Sequence, residues 1–290
     1  MTDRPRVTAV VVNYNARAHL MECIRSLRSD GVDEIVVVDN ESRDGSLTAV
    51  ADLDPEAICV STGGNLGFGS AANRGLAVAS GDYVAVLNPD VVIESGTIKA
   101  LAAALEADPT LGAVAPRVDN PDGTLYPSVR AFPSMTDAIG HAFLGFIAPS
   151  NKFSRRYRLL DWDHSRAVEV DWASGTCLML RAAALGEKGR FDESYFMYVE
   201  DVDLCWRLRQ SGWGIGYEPA GRVIHTVGAS SELAPYRMIL AHHRSLLQFS
   251  VRTARGRRRL LLPLVAAGLA VRTVLAWVQR AYRGRPHAQL

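Results

Sequence analysis

The sequence predicts an α/β fold: an open, mostly parallel sheet flanked by helices, with a C-terminal helical tail suited to a membrane surface. Three observations carry the prediction. Short β-branched apolar runs alternate with helical periodicities, ligand-binding polar residues follow those runs, and composition shifts toward arginine and leucine from about Pro235. Short apolar runs bounded by polar residues are the signature of strands covered on both faces of a parallel sheet.

The elements follow in order. Val7 to Val12 and Ile35 to Val38 read as the first two strands. Between them Leu20, Cys23, Ile24 and Leu27 recur at i, i+3, i+4 and i+7, which lays one apolar stripe of a helix onto the sheet. Ile58 to Val60 and Tyr83 to Leu87 continue the strands, with helices over Ala71 to Ala79 and Ile98 to Ala107, the second stopped by Pro109. From Asp119 to Asp163 turn chemistry at Asn120-Pro121-Asp122-Gly123 and weak periodicity predict loops and short helices over the site. Glu169 to Ala173 and Cys177 to Leu180 read as strands around Ser174-Gly175, Glu200 to Gln210 as a helix ending before Gly212, and Arg222 to Ile224 as a strand. This gives one unit over 1–234, in halves of 1–116 and 117–234, and a basic helical tail over 235–290.

At 290 residues the chain can bury roughly three quarters of its unfolded surface. A net charge of +1 with 48% hydrophobic residues excludes intrinsic disorder and a nucleic-acid binder driven by overall charge. Four cysteines without C-x-x-C spacing signal neither zinc nor a disulfide framework and fit a reducing compartment. The apolar run Val10 to Val12 is too short for a signal-peptide core, so a non-exported protein is expected. In the tail, Arg252, Arg255, Arg257, Arg258 and Arg259 precede Leu260 to Val278, a stretch interrupted by Pro263 and Arg272 and followed by Arg280, Arg283 and Arg285. A clean span needs about 20 apolar residues, so this segment is better suited to lying on an anionic membrane surface. A core helix or a homodimer contact is the alternative.

Asn88-Pro89-Asp90 closes the strand Tyr83 to Leu87. A carboxylate where a buried strand breaks into a loop can hold Mg2+ or Mn2+ against two phosphates, a reading favoured here over an ordinary turn. Gly63 to Gly69 is a glycine-rich loop that permits close backbone approach, though it is neither a Walker motif nor a dinucleotide fingerprint. Asn13, Asn15, Asp39 and Asn65 stand with Asp90 at strand ends, where ligands gather in such sheets. Asp39 reads nearly as well as a cap for the loop Glu41 to Ser46. In Glu200-Asp201-Val202-Asp203, Asp201 is the candidate general base, raised by desolvation and by like charges at Glu200 and Asp203. An acidic helix start stabilised by the dipole is the plainer alternative, and Asp203 can pair with Arg207 at i, i+4. His225 reads equally as structural and as a metal ligand. Trp172 and Trp213 read first as core residues, although Trp172 beside Gly175 could stack on a sugar ring.

Together these motifs resemble the family 2 glycosyltransferases of GT-A fold, in their rhamnosyltransferase-like branch. The resemblance covers about Val7 to Ser231. It rests on V-V-N-Y-N at Val11 to Asn15, V-V-D-N at Val37 to Asn40, G-N-L-G-F-G at Gly64 to Gly69 with Asn73-Arg74-Gly75, N-P-D at Asn88 to Asp90 and Y-V-E-D-V-D-L at Tyr198 to Leu204. It implies a nucleotide-sugar half and an acceptor half. Asn13, Asn15, Asp39, Asn65, Gly67, Asn88 and Asp90 would meet the nucleotide sugar; Asp90 and His225 would hold the metal; Trp172, Gly175 and Glu200 would meet the acceptor or sugar; and Asp201 would be the base of an inverting displacement. Asn88 stands where the family usually has the first acid of D-x-D. The segment Met238 to Leu246 and the tail extend the resemblance to enzymes that move L-rhamnose from dTDP-β-L-rhamnose to N-acetylglucosamine on a polyprenyl diphosphate at the cytoplasmic membrane face. The rivals are a nucleotidyltransferase, which would need a basic glycine-rich loop where Asn13-Tyr14-Asn15 stands, and a catalytically silent membrane scaffold.

Overall fold

The structure is a computed structural model that describes residues 4–132, 152, 155, 159, 162–186, 189–226 and 235–283. The loops and short helices expected between 133 and 151 lie outside the described residues. Strands and helices alternate as β1 (Val7–Asn13), α1 (Arg17–Ser29), β2 (Glu34–Asp39), α2 (Ser46–Leu53), β3 (Ile58–Ser61), α3 (Phe68–Leu76), β4 (Tyr83–Leu87), β5 (Val91–Ile93), α4 (Thr97–Ala107) and β6 (Leu111–Asp119). Then come β7 (Val129–Arg130), β8 (Val168–Val170), β9 (Trp172–Ala173), β10 (Cys177–Arg181), α5 (Glu200–Gln210), β11 (Gly214–His225), α6 (Pro235–Thr253) and α7 (Leu262–Arg283).

The main sheet runs β3-β2-β1-β4-β10-β6-β11-β5, with β8 also on β11. β3, β2, β1 and β4 are parallel neighbours, as are β6 and β11. β10 is inserted antiparallel between β4 and β6. Side chains of β1 alternate between two cores. Val7, Ala9 and Val11 pack with Leu20, Cys23, Ile24 and Leu27 of α1 and with Leu101 and Leu105 of α4. Val10 and Val12 pack with Phe68, Ala71 and Ala72 of α3 and with Leu204 and Leu208 of α5. The period-2 alternation of strand side chains is what lets one strand serve both layers.

Three local expectations need correction. The strand expected over Glu169 to Ala173 is split: β8 joins the main sheet, while β9 pairs with β7 in a separate ribbon. The break falls at Asp171, whose Oδ2 accepts a hydrogen bond from the Phe132 amide at 2.7 Å. Arg222 to Ile224 is the end of the longer β11, whose register shifts between Glu218 and Arg222 hide its continuity. Pro263 does not interrupt the tail helix but stands as the second residue of α7, where a missing N–H costs nothing.

The tail folds back as a hairpin. Nδ1 of His243 on α6 lies 2.9 Å from Oγ1 of Thr273 on α7, and Nε1 of Trp277 donates to Tyr236 O at 3.2 Å. Among the described residues one stretch, Gly256–Ala281, is long and apolar enough to cross a membrane, and most of it is exposed or half-buried. Leu264, Val271, Val274, Leu275 and Val278 are exposed along it.

Gly67 locks the glycine-rich loop to the segment before α5. Its φ is 86°, and a Cβ there would lie 2.0 Å from Phe196 O. Gly67→Ala should therefore cost about 2–4 kcal/mol in urea unfolding; unchanged stability would contradict this close approach.

Candidate functional site

The site assembles at the carboxyl ends of β1, β2, β4 and β11. Asn13 is fully buried and its Nδ2 donates to Asp39 Oδ1 and to Ser42 Oγ, each at 3.0 Å. Asp39 Oδ2 accepts the Ser42 amide at 3.0 Å, the capping role weighed against ligand contact. Asn15 takes a left-handed φ of 51° and accepts the Arg43 amide at 2.8 Å. Asn40, which residue-by-residue reading had not singled out, is the hub. Its Nδ2 donates to Asn65 Oδ1 at 3.0 Å and its Oδ1 accepts the Leu66 amide at 2.9 Å. Asn13, Asn15, Asp39, Asn65 and Gly67 thus form one continuous polar network, with Asn13 supporting it from within.

A second group lies where β4, β5, β10 and β11 meet. Asp90 Oδ1 sits 3.2 Å from Nε2 of His225, and Nδ2 of Asn88 is 3.5 Å from the same nitrogen. Asp90 and His225 are 9% and 5% exposed, and Asp90 Oδ1 makes no hydrogen bond among the described residues. The backbone enforces the pairing: Val91 stands opposite His225, and the Thr226 amide donates to Asp90 O at 3.0 Å. A carboxylate oxygen and an imidazole nitrogen facing each other without a shared hydrogen bond fit a hard divalent cation. Tyr126 closes this side with its ring edge-on to His225, 5.5 Å between centroids.

The candidate base is tied to the same junction. The Asn88 amide donates to Thr176 O at 3.1 Å, and the adjacent Gly175 amide donates to Asp201 Oδ2 at 2.9 Å. A Cβ on Gly175 would meet Phe68 at 3.3 Å, a tight contact, and Asp201 Cβ at 3.6 Å, an ordinary one, so the three residues pack closely. Phe68 follows Gly67, which joins the two groups. Trp172 is buried, donates from Nε1 to Ala131 O, and has Arg130 5.1 Å from its ring centroid, an arrangement of packing.

Glu200 and Asp201 are set apart by their surroundings. Burial, then the neighbouring Asp201 charge, pushes the Glu200 carboxyl up to about 8. Its Oε2 has no hydrogen-bond partner among the described residues. Burial also raises Asp201, opposed by the Gly175 and Val202 amides and the Arg130 charge. The pair's proton is therefore held more readily by Glu200, since the amide donors favour the charged form of Asp201. Asp203 does not crowd Asp201 as expected from sequence. Its carboxylate is bound by Arg207 at 2.7 Å and by Arg252 of α6 at 2.8 Å. Tyr198 and Val199 immediately before this helix have φ of 66° and 71°, strain of the kind that collects at functional sites. α6 braces the segment, with Ser245 Oγ donating to Met197 O at 3.0 Å and Arg252 also pairing with Asp192.

The glycosyl transferase family 2 model matches residues 8–184. The chain is 37% identical over 262 residues to the N-acetylglucosaminyl-diphospho-decaprenol L-rhamnosyltransferase of Mycobacterium tuberculosis H37Rv, covering 86% of this chain and 84% of that one. It is 27% identical to the rhamnosyltransferase WbbL of Escherichia coli K12, covering 76% and 83% of the two chains. Among solved structures, the mannosyltransferase PcManGT of Pyrobaculum calidifontis, in complex with GDP-Man and Mn2+, superposes with a TM-score of 0.61 at 20% identity over 98% of this chain and 77% of that one. At that identity the likeness speaks for the fold.

Because Glu200 rises from an ordinary 4.5 to about 8 on folding, its stabilising contribution is complete below 4.5 and is lost as pH rises toward 8. Glu200→Gln should remove this loss and gain on the order of 2 kcal/mol over the parent at about pH 9 by thermal unfolding. Parallel stability curves for the two proteins would contradict the buried proton.

Proposed function

The chain belongs to the family 2 glycosyltransferases of GT-A fold, and from that premise we propose that it transfers L-rhamnose from dTDP-β-L-rhamnose to N-acetylglucosamine on a polyprenyl diphosphate in cell-wall synthesis. The observation that carries this reading is the meeting of the Asp90–His225 pair with the Gly175-held Asp201, beside the polar network of Asn13 to Gly67. The name of the 37% identical mycobacterial relative supports the choice of transferred sugar and of acceptor.

In this mechanism the nucleotide lies on the network of Asp39, Asn40 and Asn65, with the glycine-rich loop close to it. Asp90 and His225 are suited to hold a bound Mg2+ or Mn2+, which would offset the charge of the leaving diphosphate. Asp201 accepts the proton of the acceptor hydroxyl as that oxygen attacks the anomeric carbon. The bond from that carbon to the diphosphate breaks, the nucleoside diphosphate leaves, and configuration inverts. Glu200, neutral and buried beside the base, donates a hydrogen bond to a sugar hydroxyl. The exposed apolar face of α7 and its basic approach hold the protein on the cytoplasmic face of the membrane, where a prenyl-linked acceptor is confined.

Asp201→Asn should keep nucleotide-sugar affinity while lowering kcat by about 10²–10⁴ in an assay with prenyl-diphosphate N-acetylglucosamine. Near-normal turnover would remove Asp201 from the role. Asp90→Ala should weaken metal-dependent nucleotide binding by about tenfold or more, and unchanged calorimetric titrations would count against the metal pair. In the parent, turnover should rise as Asp201 ionises and fall as Glu200 loses its proton near 8.

A further inference from the structure

One face of α6 is turned toward the segment that leads into α5. His242, Ser245, Phe249 and Arg252 recur at the spacing that puts side chains on one side of a helix, and each meets that segment or α5 itself. The centroid of the His242 ring lies 5.1 Å from that of Tyr198, and Ser245 Oγ donates to Met197 O at 3.0 Å. Gln248 bonds Ser194, and the Phe249 ring stands edge-on to Trp206 of α5, 6.4 Å between centroids. Last on this face, Arg252 reaches two carboxylates, Asp203 from Nη1 at 2.8 Å and Asp192 from Nη2. Along the segment the partners descend from Tyr198 to Asp192 as α6 advances, so the helix runs antiparallel to it.

The segment needs such a hold. Tyr198 and Val199 have left-handed φ of 66° and 71°, a backbone that persists when its surroundings over-determine it. On the side of α3 the Phe68 amide donates to Phe196 O at 3.2 Å, and Asn73 exchanges two hydrogen bonds with the Phe191 backbone. We propose that Arg252 is a positioning residue for sugar transfer: its guanidinium ties Asp192 to Asp203 and so clamps the two ends of the strained turn that presents Glu200 and Asp201. The inference rests on the reading of Asp201 as the base and deepens it. Asp203 is wholly buried, so loss of Arg252 weakens the compensation of a charge that water does not reach. An arginine fork bonds both carboxylates at once, whereas a lysine ammonium, a point charge, holds them less firmly. Asp201 stands two residues before Asp203 on the same helical turn, where its Oδ2 accepts the Gly175 amide at 2.9 Å. Movement of this helix start is movement of the base.

Arg252→Gln and Arg252→Lys, in the full chain in neutral detergent, test the clamp through turnover, calorimetric dTDP binding and amide hydrogen exchange. Arg252→Gln should lower kcat about tenfold or more and speed exchange over 192–201 about tenfold or more. Affinity for dTDP, KM for the nucleotide sugar and exchange in β1 and β2 should stay unchanged. Arg252→Lys should restore part of both losses. If Arg252→Gln does not fold, Ser245→Ala, which removes the bond to Met197, should give a smaller loss in the same direction. Unchanged kcat or unchanged exchange in the folded variants would overturn the clamp, as would a loss of dTDP affinity equal to the loss of kcat. With Asp201→Asn inactive, that result would leave the base reading standing. Normal turnover of Asp201→Asn beside a slow Arg252→Gln would support the clamp while refuting Asp201 as the base. In a parent that transfers no sugar to the prenyl-linked acceptor, the transfer reading fails and exchange over 192–201 decides the clamp.

Discussion

The constraint on which the site depends is backbone register around β4. Placing β10 antiparallel beside β4 sets Cys177 opposite Leu87, so the start of one strand lies at the end of the other. Asn88 and Gly175 are thereby neighbours although 87 residues separate them in sequence. Pairing β5 with β11 does the same for Asp90 and His225. These ladder contacts flank the fully buried strand β4, where an unpaired amide or carbonyl is costly and a slip of one residue would turn every side chain to the wrong face. Asp90 and His225 are thus brought together by the main chain, and Asp201 joins them through its side-chain bond to the Gly175 amide.

On that frame, electrostatics divides labour among three acids in one helical turn. Glu200 has no hydrogen-bond partner for Oε2 among the described residues, which favours its neutral form; Asp201 has two amide donors, which favour its charged form; Asp203 is paired with two guanidiniums. Asp203 thus serves as an anchor, and one of its partners, Arg252, belongs to α6. The helix that carries the apolar tail is therefore bonded to the helix that carries the base. The position of Asp201 is thus linked to α6, and through it to the apolar α7, by this buried carboxylate and by the Ser245–Met197 bond.

Much of this was legible in the sequence, and for stated reasons. β1, β2 and β4 are short β-branched runs with sharp polar ends, and α1 shows its buried stripe at Leu20, Cys23, Ile24 and Leu27 without ambiguity. β6 and the first part of β11 were not read, because Pro116 and the glycines Gly214 and Gly216 break the apolar pattern that marks a strand. Asp90, His225, Asp201 and Gly175 were each singled out from local context, and the fold brings them to one junction. Asn40, Ser42, Tyr126, Arg130 and Arg252 were not, because what they do depends on partners brought near by register and by the return of α6. The contribution of Asp203 was misjudged for the same reason: its charge is visible in the sequence, and Arg252, 49 residues away, is not visibly its partner.

The most direct measurement is anomalous diffraction at the manganese edge from crystals of the full chain grown with Mn2+ and dTDP. The account predicts one strong peak in contact with Asp90, His225 and the nucleotide diphosphate, with the Asp201 carboxylate facing the same hollow. A peak held by other side chains, or a nucleotide bound away from Asp39, Asn40 and Asn65, would contradict it.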